Sequence, residues 1–299
     1  MERQYTDMHD SRKPRRWFSS RHITAILAIT VMSAGALVGG AGPAQAVASP
    51  TLVSSSSAEV SANFKNATAT CPGDLRVYGA AFNVVNGNGK VAVNTLQPSA
   101  NLRSVFVEAN EIGSGLSTAW RLDAEAICGP ATAGMRLVTA SKPTSSDAEE
   151  NLGVSCAVSE RIYGAGYLFT NGYGEVFLTV MQYLSNRSVI MAGSIDDTPL
   201  VWGITGYAIC GPAPTTYAQR TTSDQVHDSN TPKSENTPAC PSGTRVHGVG
   251  MRLVGGTGDV VIEDLRPSSA ALSSGLGKAY ENDSTAVDWS VRAQVICSS

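Results

Sequence analysis

The chain has 299 residues, 42% of them hydrophobic and 16% charged, with a formal net charge of −3. That is enough chain for one large domain or for two to three small ones. From Val47 onward it carries 16 Lys and Arg against 22 Asp and Glu, a balance that argues against nucleic acid and anionic membrane surfaces as partners.

The first 46 residues read as a secretory signal peptide. A basic stretch (Arg12, Lys13, Arg15, Arg16, Arg21) precedes the apolar run Ile23 to Val38, and small residues lead to the cleavage signal Ala44-Gln45-Ala46. A second signal, Ala46-Val47-Ala48, permits cleavage two residues later. The alternative is an uncleaved membrane anchor, since Ile23 to Gly42 nearly suffices to span a bilayer. No later stretch is apolar enough to span, so no membrane contact is expected once the signal is removed. Cys71, Cys128, Cys156, Cys210, Cys240 and Cys297 all lie beyond this segment. An even cysteine count behind a signal peptide points to disulfides, and the absence of C-x-x-C spacing argues against zinc.

The remaining chain writes one unit three times, over 47–130, 131–212 and 213–299. Each unit opens at a cysteine: CPGDLRVYGAAF, CAVSERIYGAGY and CPSGTRVHGVGM. Gly79, Gly164 and Gly248 stand eight residues after it, and Ala81, Gly166 and Gly250 ten after it. The first strand is expected near Leu75–Val84, Arg161–Phe169 and Arg245–Val254. One face carries Tyr78, Ala80, Phe82 and Val84 or their counterparts, and the other carries the small residues. A Gly-x-Gly turn follows as NGNGK, NGYGE or GGTGD. The second strand then starts at Val91, Val176 or Val260. A third is read near Val105, Val189 and Ala279. The fourth ends at Cys128, Cys210 or Cys297, with Trp120, Trp202 or Trp289 eight residues before the cysteine. The segments between repeats read as polar surface loop, apart from a short strand near Met135–Ala140.

This pattern defines an all-β protein of three repeats, each of about four antiparallel strands closed by a tryptophan and a cystine. The spacing favours Cys71–Cys128, Cys156–Cys210 and Cys240–Cys297. A rival set joins neighbours, Cys128–Cys156 and Cys210–Cys240, with Cys71–Cys297 closing a ring. Two packings fit: a β-prism with one shared core, or three consecutive small β-sandwiches. Trp120, Trp202 and Trp289 are expected to lie over the small-residue face of the first strand.

The C-P-x-G…G-x-G…W…I-C unit resembles secreted three-repeat proteins of actinobacteria over Cys71 to Cys297. More distantly it resembles the vitelline membrane outer layer protein I family. Cys71-Pro72-Gly73 and Cys240-Pro241-Ser242-Gly243 carry that likeness, whereas Cys156-Ala157-Val158-Ser159 departs from it and the repeats here are longer. The resemblance implies an extracellular β-prism with glycan contact, and it carries over no catalytic residue.

The residues themselves offer little chemistry. No nucleophile elbow occurs. His247 replaces Tyr78 and Tyr163 in the repeat, and His227 lies in a polar connector. Two carboxylate pairs, Asp123/Glu125 and Glu263/Asp264, do not recur in the other repeats and read as solvated charges on a sheet face. Acids before the tryptophans (Glu111, Asp196-Asp197, Glu281, Asp283) are too irregularly spaced for a calcium loop. No metal, cofactor or catalytic residue is therefore assigned. Ligand contact is expected at the turn tips, through Asn86, Asn88, Asn171, Tyr173, Thr257 and Asp259. The expected function is that of a secreted, non-catalytic protein binding an extracellular glycan or cell-envelope polymer. The alternative is a secreted glycan-active enzyme using a carboxylate pair.

Overall fold

The computed structural model describes residues 49–196, 199–223 and 226–299, and the signal segment 1–46 lies outside them. The described chain is all β, with eighteen strands in three six-stranded sheets. Repeat one supplies β1 (Thr51–Ser56), β2 (Phe64–Thr70), β3 (Arg76–Val85), β4 (Val91–Pro98), β5 (Ser104–Glu111) and β6 (Arg121–Gly129). Repeat two supplies β7 (Arg136–Ser141), β8 (Glu149–Ser155), β9 (Glu160–Thr170), β10 (Val176–Tyr183), β11 (Ser188–Ile195) and β12 (Gly203–Pro212). Repeat three supplies β13 (Tyr217–Thr221), β14 (Lys233–Asn236), β15 (Arg245–Val254), β16 (Val260–Pro267), β17 (Gly275–Glu281) and β18 (Ser290–Ser298).

Each repeat thus has six strands, because the polar connectors contribute two apiece. These extra strands lie at the sheet edges, and several alternate buried and exposed residues, as in Phe64–Thr70. A strand paired on one side and wet on one face needs few apolar residues, and polar edges also discourage pairing with other chains.

The sheets are not the property of single repeats, contrary to the expectation of three self-closed units. Their strand orders are β1-β6-β3-β16-β17-β14, β2-β5-β4-β9-β12-β7 and β13-β18-β15-β10-β11-β8. Repeat one shares a sheet with repeat three and another with repeat two, while repeats two and three share the last. Each seam joins one repeat's first core strand to another's second over two residue pairs: Asn83 and Phe82 with Asp264 and Leu265, Leu168 and Tyr167 with Thr95 and Leu96, Arg252 and Met251 with Val180 and Met181. One continuous hydrophobic core runs through all three repeats. This is the prism arrangement, with a single shared interior.

The glycines explain how the three sheets meet. A methyl group at Gly79 would overlap the carbonyl oxygen of His247, one at Gly164 that of Tyr78, and one at Gly248 that of Tyr163. Strands β3, β9 and β15 therefore meet backbone to backbone around a pseudo-threefold axis. Gly166 and Gly250 make the same kind of approach to the carbonyls of Leu96 and Met181 across the seams. Backbone at the axis and at the seams, rather than the tryptophans, fills the space beside the glycines.

A β-bulge precedes each axial glycine. The pairing slips between Val77 and Gly79, between Ile162 and Gly164, and between Val246 and Gly248. The extra residue in each case is Tyr78, Tyr163 or His247, and a bulge re-aims such a side chain out of the regular alternation. The three rings gather at one end of the axis, with centroids 5.1–5.7 Å apart.

The disulfides are Cys71–Cys128, Cys156–Cys210 and Cys240–Cys297. Each ties the start of the first core strand to the end of the last at the ring end of the sheet. On a loop-entropy estimate each is worth about 4 kcal/mol. At the opposite end sit Trp120, Trp202 and Trp289, all fully buried. Their indole N–H groups donate to Glu111 Oε1 at 2.6 Å, the Asp147 carbonyl at 2.9 Å and Glu281 Oε1 at 2.9 Å.

Two outcomes follow from the interlock. Gly164→Ala pushes a methyl into main chain that has no rotamer to yield, so a loss at or above the upper end of roughly 1–3 kcal/mol is expected in denaturant unfolding. Gly153→Ala, with open space around it, changes stability by less than about 0.5 kcal/mol. Residues 131–212 expressed alone remain unfolded by circular dichroism even when oxidised, because β8, β10 and β11 lose the sheet they complete.

Candidate functional site

Three turns lie at the tryptophan end of the axis. Each is closed by the same bond: Lys90 N–H to Gly87 O at 3.0 Å, Glu175 N–H to Gly172 O at 2.7 Å, Asp259 N–H to Gly256 O at 3.1 Å. Beneath them Ala92, Phe177 and Val261, which occupy one repeat position, cluster with Ile112. Each turn also abuts the end of the third core strand of another repeat. Gly89 approaches the Glu281 carbonyl and Gly174 the Glu111 carbonyl; Gly258 would place a Cβ 3.4 Å from the Ile195 carbonyl. The turns are therefore fixed by the interlock of repeats.

All six residues expected at the ligand surface belong to these turns. Asn86, Asn88, Asn171, Tyr173 and Thr257 are exposed, and Asp259 is half-buried. Some have structural duties. Asn86 Nδ2 donates to Glu59 Oε1 at 3.3 Å, and Asn171 Nδ2 to the Val201 carbonyl at 3.2 Å. The Asp259 carbonyl accepts from Asn282 N–H at 2.7 Å. Asn88, Tyr173 and Thr257 stand out at the tips. Tyr173 is 68% exposed and adopts φ 31°, and Asn86, Asn88 and Asn171 also have positive φ. Asparagine tolerates that region, but a bulky aromatic residue there is an outlier.

The two carboxylate pairs do not remain apart. Because β6, β3 and β16 are adjacent, Asp123 aligns with Asn83, which aligns with Asp264. Glu125 lies two residues along from Asp123 on the same face. The reading of solvated charges is overturned, since Asp123, Glu125 and Asp264 are only 8%, 6% and 6% exposed. Asp123 accepts from Arg121 Nε at 2.8 Å and Asn83 Nδ2 at 3.1 Å. Asp264 accepts from Arg266 Nε at 2.8 Å. Burial works to raise Asp123, but its bonds to Arg121, Ser56 and Asn83 outweigh this and hold it below the usual range. Burial pushes Asp264 up to about 6, against the pull of Arg266. Burial likewise pushes Glu125 up to about 7; Arg266 opposes this, and Asp264 and Asp123 add to it.

Glu263, next to Asp264, turns inward instead. It occupies a bulge in β16. Its Oε1 accepts from Gly89 N–H at 2.9 Å, so repeat three braces the turn of repeat one. Burial raises it to about 8, while the backbone bonds from the turn lower it. The acids before the tryptophans have comparable tasks. Glu111 takes the Trp120 indole and the Leu116 N–H, and Glu281 takes the Trp289 indole. Asp283 pairs with Lys90 at 2.9 Å, and Asp197 lies outside the described residues. His227 Nδ1 lies 3.4 Å from Ser290 Oγ.

The topology-dependent meeting of Asp123, Glu125 and Asp264 left no signal along the chain. Another signal was present: an arginine five residues after each opening cysteine, at Arg76, Arg161 and Arg245. It marks the ring end of the axis, which the turn-centred reading leaves unused.

The fold defines a disulfide-stabilised, three-repeat β-prism-like protein. No protein-family model and no curated protein matches the chain. Three disulfides, with no free cysteine among the described residues, fit an oxidising compartment. No helix among the described residues is long and apolar enough to cross a membrane.

The raised carboxylates set a pH dependence. The folded protein holds protons on Glu263, Glu125 and Asp264 that the unfolded chain has released by about pH 5, so stability falls as pH rises through about 5 to 8. Thermal unfolding followed across that range shows the decline. Glu263→Gln flattens the slope and raises stability at pH 8 by a few kcal/mol at most, on the scale of about 1.4 kcal/mol per unit.

Proposed function

We propose that the protein is a secreted, non-catalytic binding protein that contacts extracellular glycan or cell-envelope polymer through the turns at the tryptophan end. The observation that carries this reading is Tyr173. A hairpin turn needs glycine or asparagine where φ is positive, yet here an exposed aromatic ring is held in that region, at a cost of about 1–3 kcal/mol. Strain without a packing return is expected where a side chain is kept for contact. An exposed tyrosine ring, on a surface end that also presents the amide of Asn88 and the hydroxyl of Thr257 from the other turns, suits a sugar, which offers an apolar face and hydroxyl edges. Secretion accords with the signal-like first segment and the three cystines, and the distant likeness to the vitelline membrane outer layer family points the same way.

Tyr173→Gly tests the assignment on a glycan array and on purified cell-wall polymer. Binding falls at least tenfold, while unfolding stability is unchanged or rises by up to about 1 kcal/mol as the left-handed strain is relieved. Equal binding by the variant, or no binding by the parent protein, removes the reading.

A second reading is kept for one observation: Asp123 and Glu125 share a face and have their proton affinities pushed in opposite directions, as an acid and base pair would. Burial and the arginine partners weigh against it, because a glycosidase needs both carboxyls open to a sugar. Glycan hydrolysis that disappears in Glu125→Gln would establish it in place of the first.

A further inference from the structure

The ring end of the axis carries a different surface. A bowl of about 700 Å³ opens there, within the size range of small-molecule sites. Its floor is the trio Tyr78, Tyr163 and His247, each placed by a bulge. The trio is locked from behind. The Tyr78 hydroxyl donates to the Pro130 carbonyl at 2.8 Å and lies 2.7 Å from Thr132 Oγ1, and the Tyr163 hydroxyl donates to the Pro212 carbonyl at 2.7 Å. The tyrosine rings lie so close to Gly129 and Gly211 that a Cβ there would come within 2.8 and 3.0 Å of ring carbons. In repeat three the position after the cysteine is Ser298, and the smaller imidazole fills the tyrosine's place, with His247 Nδ1 2.9 Å from Ser298 Oγ. Burial drops His247 to about 4, so the ring is neutral near pH 7. Its Nδ1 faces the Arg245 carbonyl at 3.1 Å. With the proton on that nitrogen, Nε2 is an acceptor.

The chemistry of the walls narrows the occupant. Proline rings and tyrosine edges supply apolar surface. Hydroxyls of Ser49, Thr132, Thr215 and Thr216 supply donors and acceptors. Among the described lining residues no side chain is acidic, and the one permanently charged side chain is that of the exposed Arg245. Arg76 and Arg161 occupy the equivalent positions in the other repeats and add to the positive field at this end, each guanidinium donating to a neighbouring main-chain carbonyl, that of Asp74 at 2.7 Å and that of Glu160 at 2.8 Å. A single guanidinium on a hydroxylated, part-apolar bowl suits one carboxylate on a ring-sized polyhydroxy compound better than a phosphate dianion, which attracts several cations.

We infer that this bowl is a binding site for a small carboxylate-bearing sugar, a uronic acid or a uronate-terminated oligosaccharide, with Arg245 taking the carboxylate. The site is independent of the turns at the far end and stands or falls without them.

Titration of the full disulfide-bonded protein with glucuronic acid, glucose and a glucuronate-terminated disaccharide, followed by the ring NMR signals of Tyr78, Tyr163 and His247, tests it. The uronate binds at least tenfold more tightly than glucose, and the three rings shift together. Arg245→Gln, at an exposed position that leaves the fold intact, abolishes the difference. Tyr173→Gly leaves it unchanged, which separates this site from the one at the turns. Tighter binding of the disaccharide than of the free acid identifies a chain terminus as the source, and equal binding identifies the monosaccharide; either supports the site. Equal affinity for glucuronic acid and glucose, no ring shifts at tens of millimolar ligand, or a difference that survives in Arg245→Gln overturns the inference.

Discussion

The close contact of three backbones at Gly79, Gly164 and Gly248 is the constraint on which the rest of the molecule depends. It lets β3, β9 and β15 meet around an axis backbone against backbone at the level of these glycines. Everything outward is then determined by where each repeat sends its other strands. Since β4, β10 and β16 each pair on one side with the third core strand of their own repeat and on the other with the first core strand of another, the three seams close a ring in which every repeat holds the other two. The seams themselves are only two residue pairs long, so cohesion comes from the shared core more than from the hydrogen-bond ladder.

The two ends of the axis follow from this arrangement by different routes. At one end the bulges eject Tyr78, Tyr163 and His247 from the sheet alternation and bring them into mutual contact, with cystines alongside. At the other end the turns are pinned by the third core strands of other repeats and by the inward Glu263. Rigid scaffolds that present short loops in this way are well suited to recognition, because the loops lose little freedom on binding. The pseudo-symmetry is complete in backbone and broken in side chains. Asn86 and Asn88 of the first turn correspond to Asn171 and Tyr173 in the second, and Gly255 and Thr257 in the third. The ring floor is likewise tyrosine, tyrosine, histidine. A repeat architecture with unlike positions at both ends can hold asymmetric ligands that strict threefold symmetry would not favour.

The buried carboxylates show the same division on the sheet shared by repeats one and three. The positions of Asp123, Glu125 and Asp264 are Thr205, Tyr207 and Thr95 on a second sheet, where Gln97 donates to the Tyr207 hydroxyl at 2.9 Å. On the third sheet Gln294 bonds both to the N–H and to the carbonyl of Tyr183. Each sheet has solved the covering of its outer face with a different polar set. The acidic solution leaves Glu125 Oε2 buried without a hydrogen-bond partner, and this burial, with the charges of Asp264 and Asp123 added to it, raises its proton affinity.

Local pattern was enough to establish the repeat, the all-β class, the core strands and the pairing within each repeat favoured for the cysteines. Alternation, turn glycines and fixed offsets are properties of short stretches and survive in one dimension. Of the edge strands only β7 was legible, as the short strand near Met135–Ala140; the others were not, because a strand wet on one face and unpaired on one side can be nearly as polar as a loop. The role of the axial glycines was also hidden: a glycine announces close approach, but the approaching partner lies in another repeat. Only the tertiary structure decided that strands are exchanged between repeats, that Asp123 and Asp264 meet, and that Tyr78, Tyr163 and His247 gather at one bowl. Those relations join residues 70 or more positions apart, and a first strand that pairs with the second strand of another repeat cannot be told from one that pairs within its own when the repeats look alike.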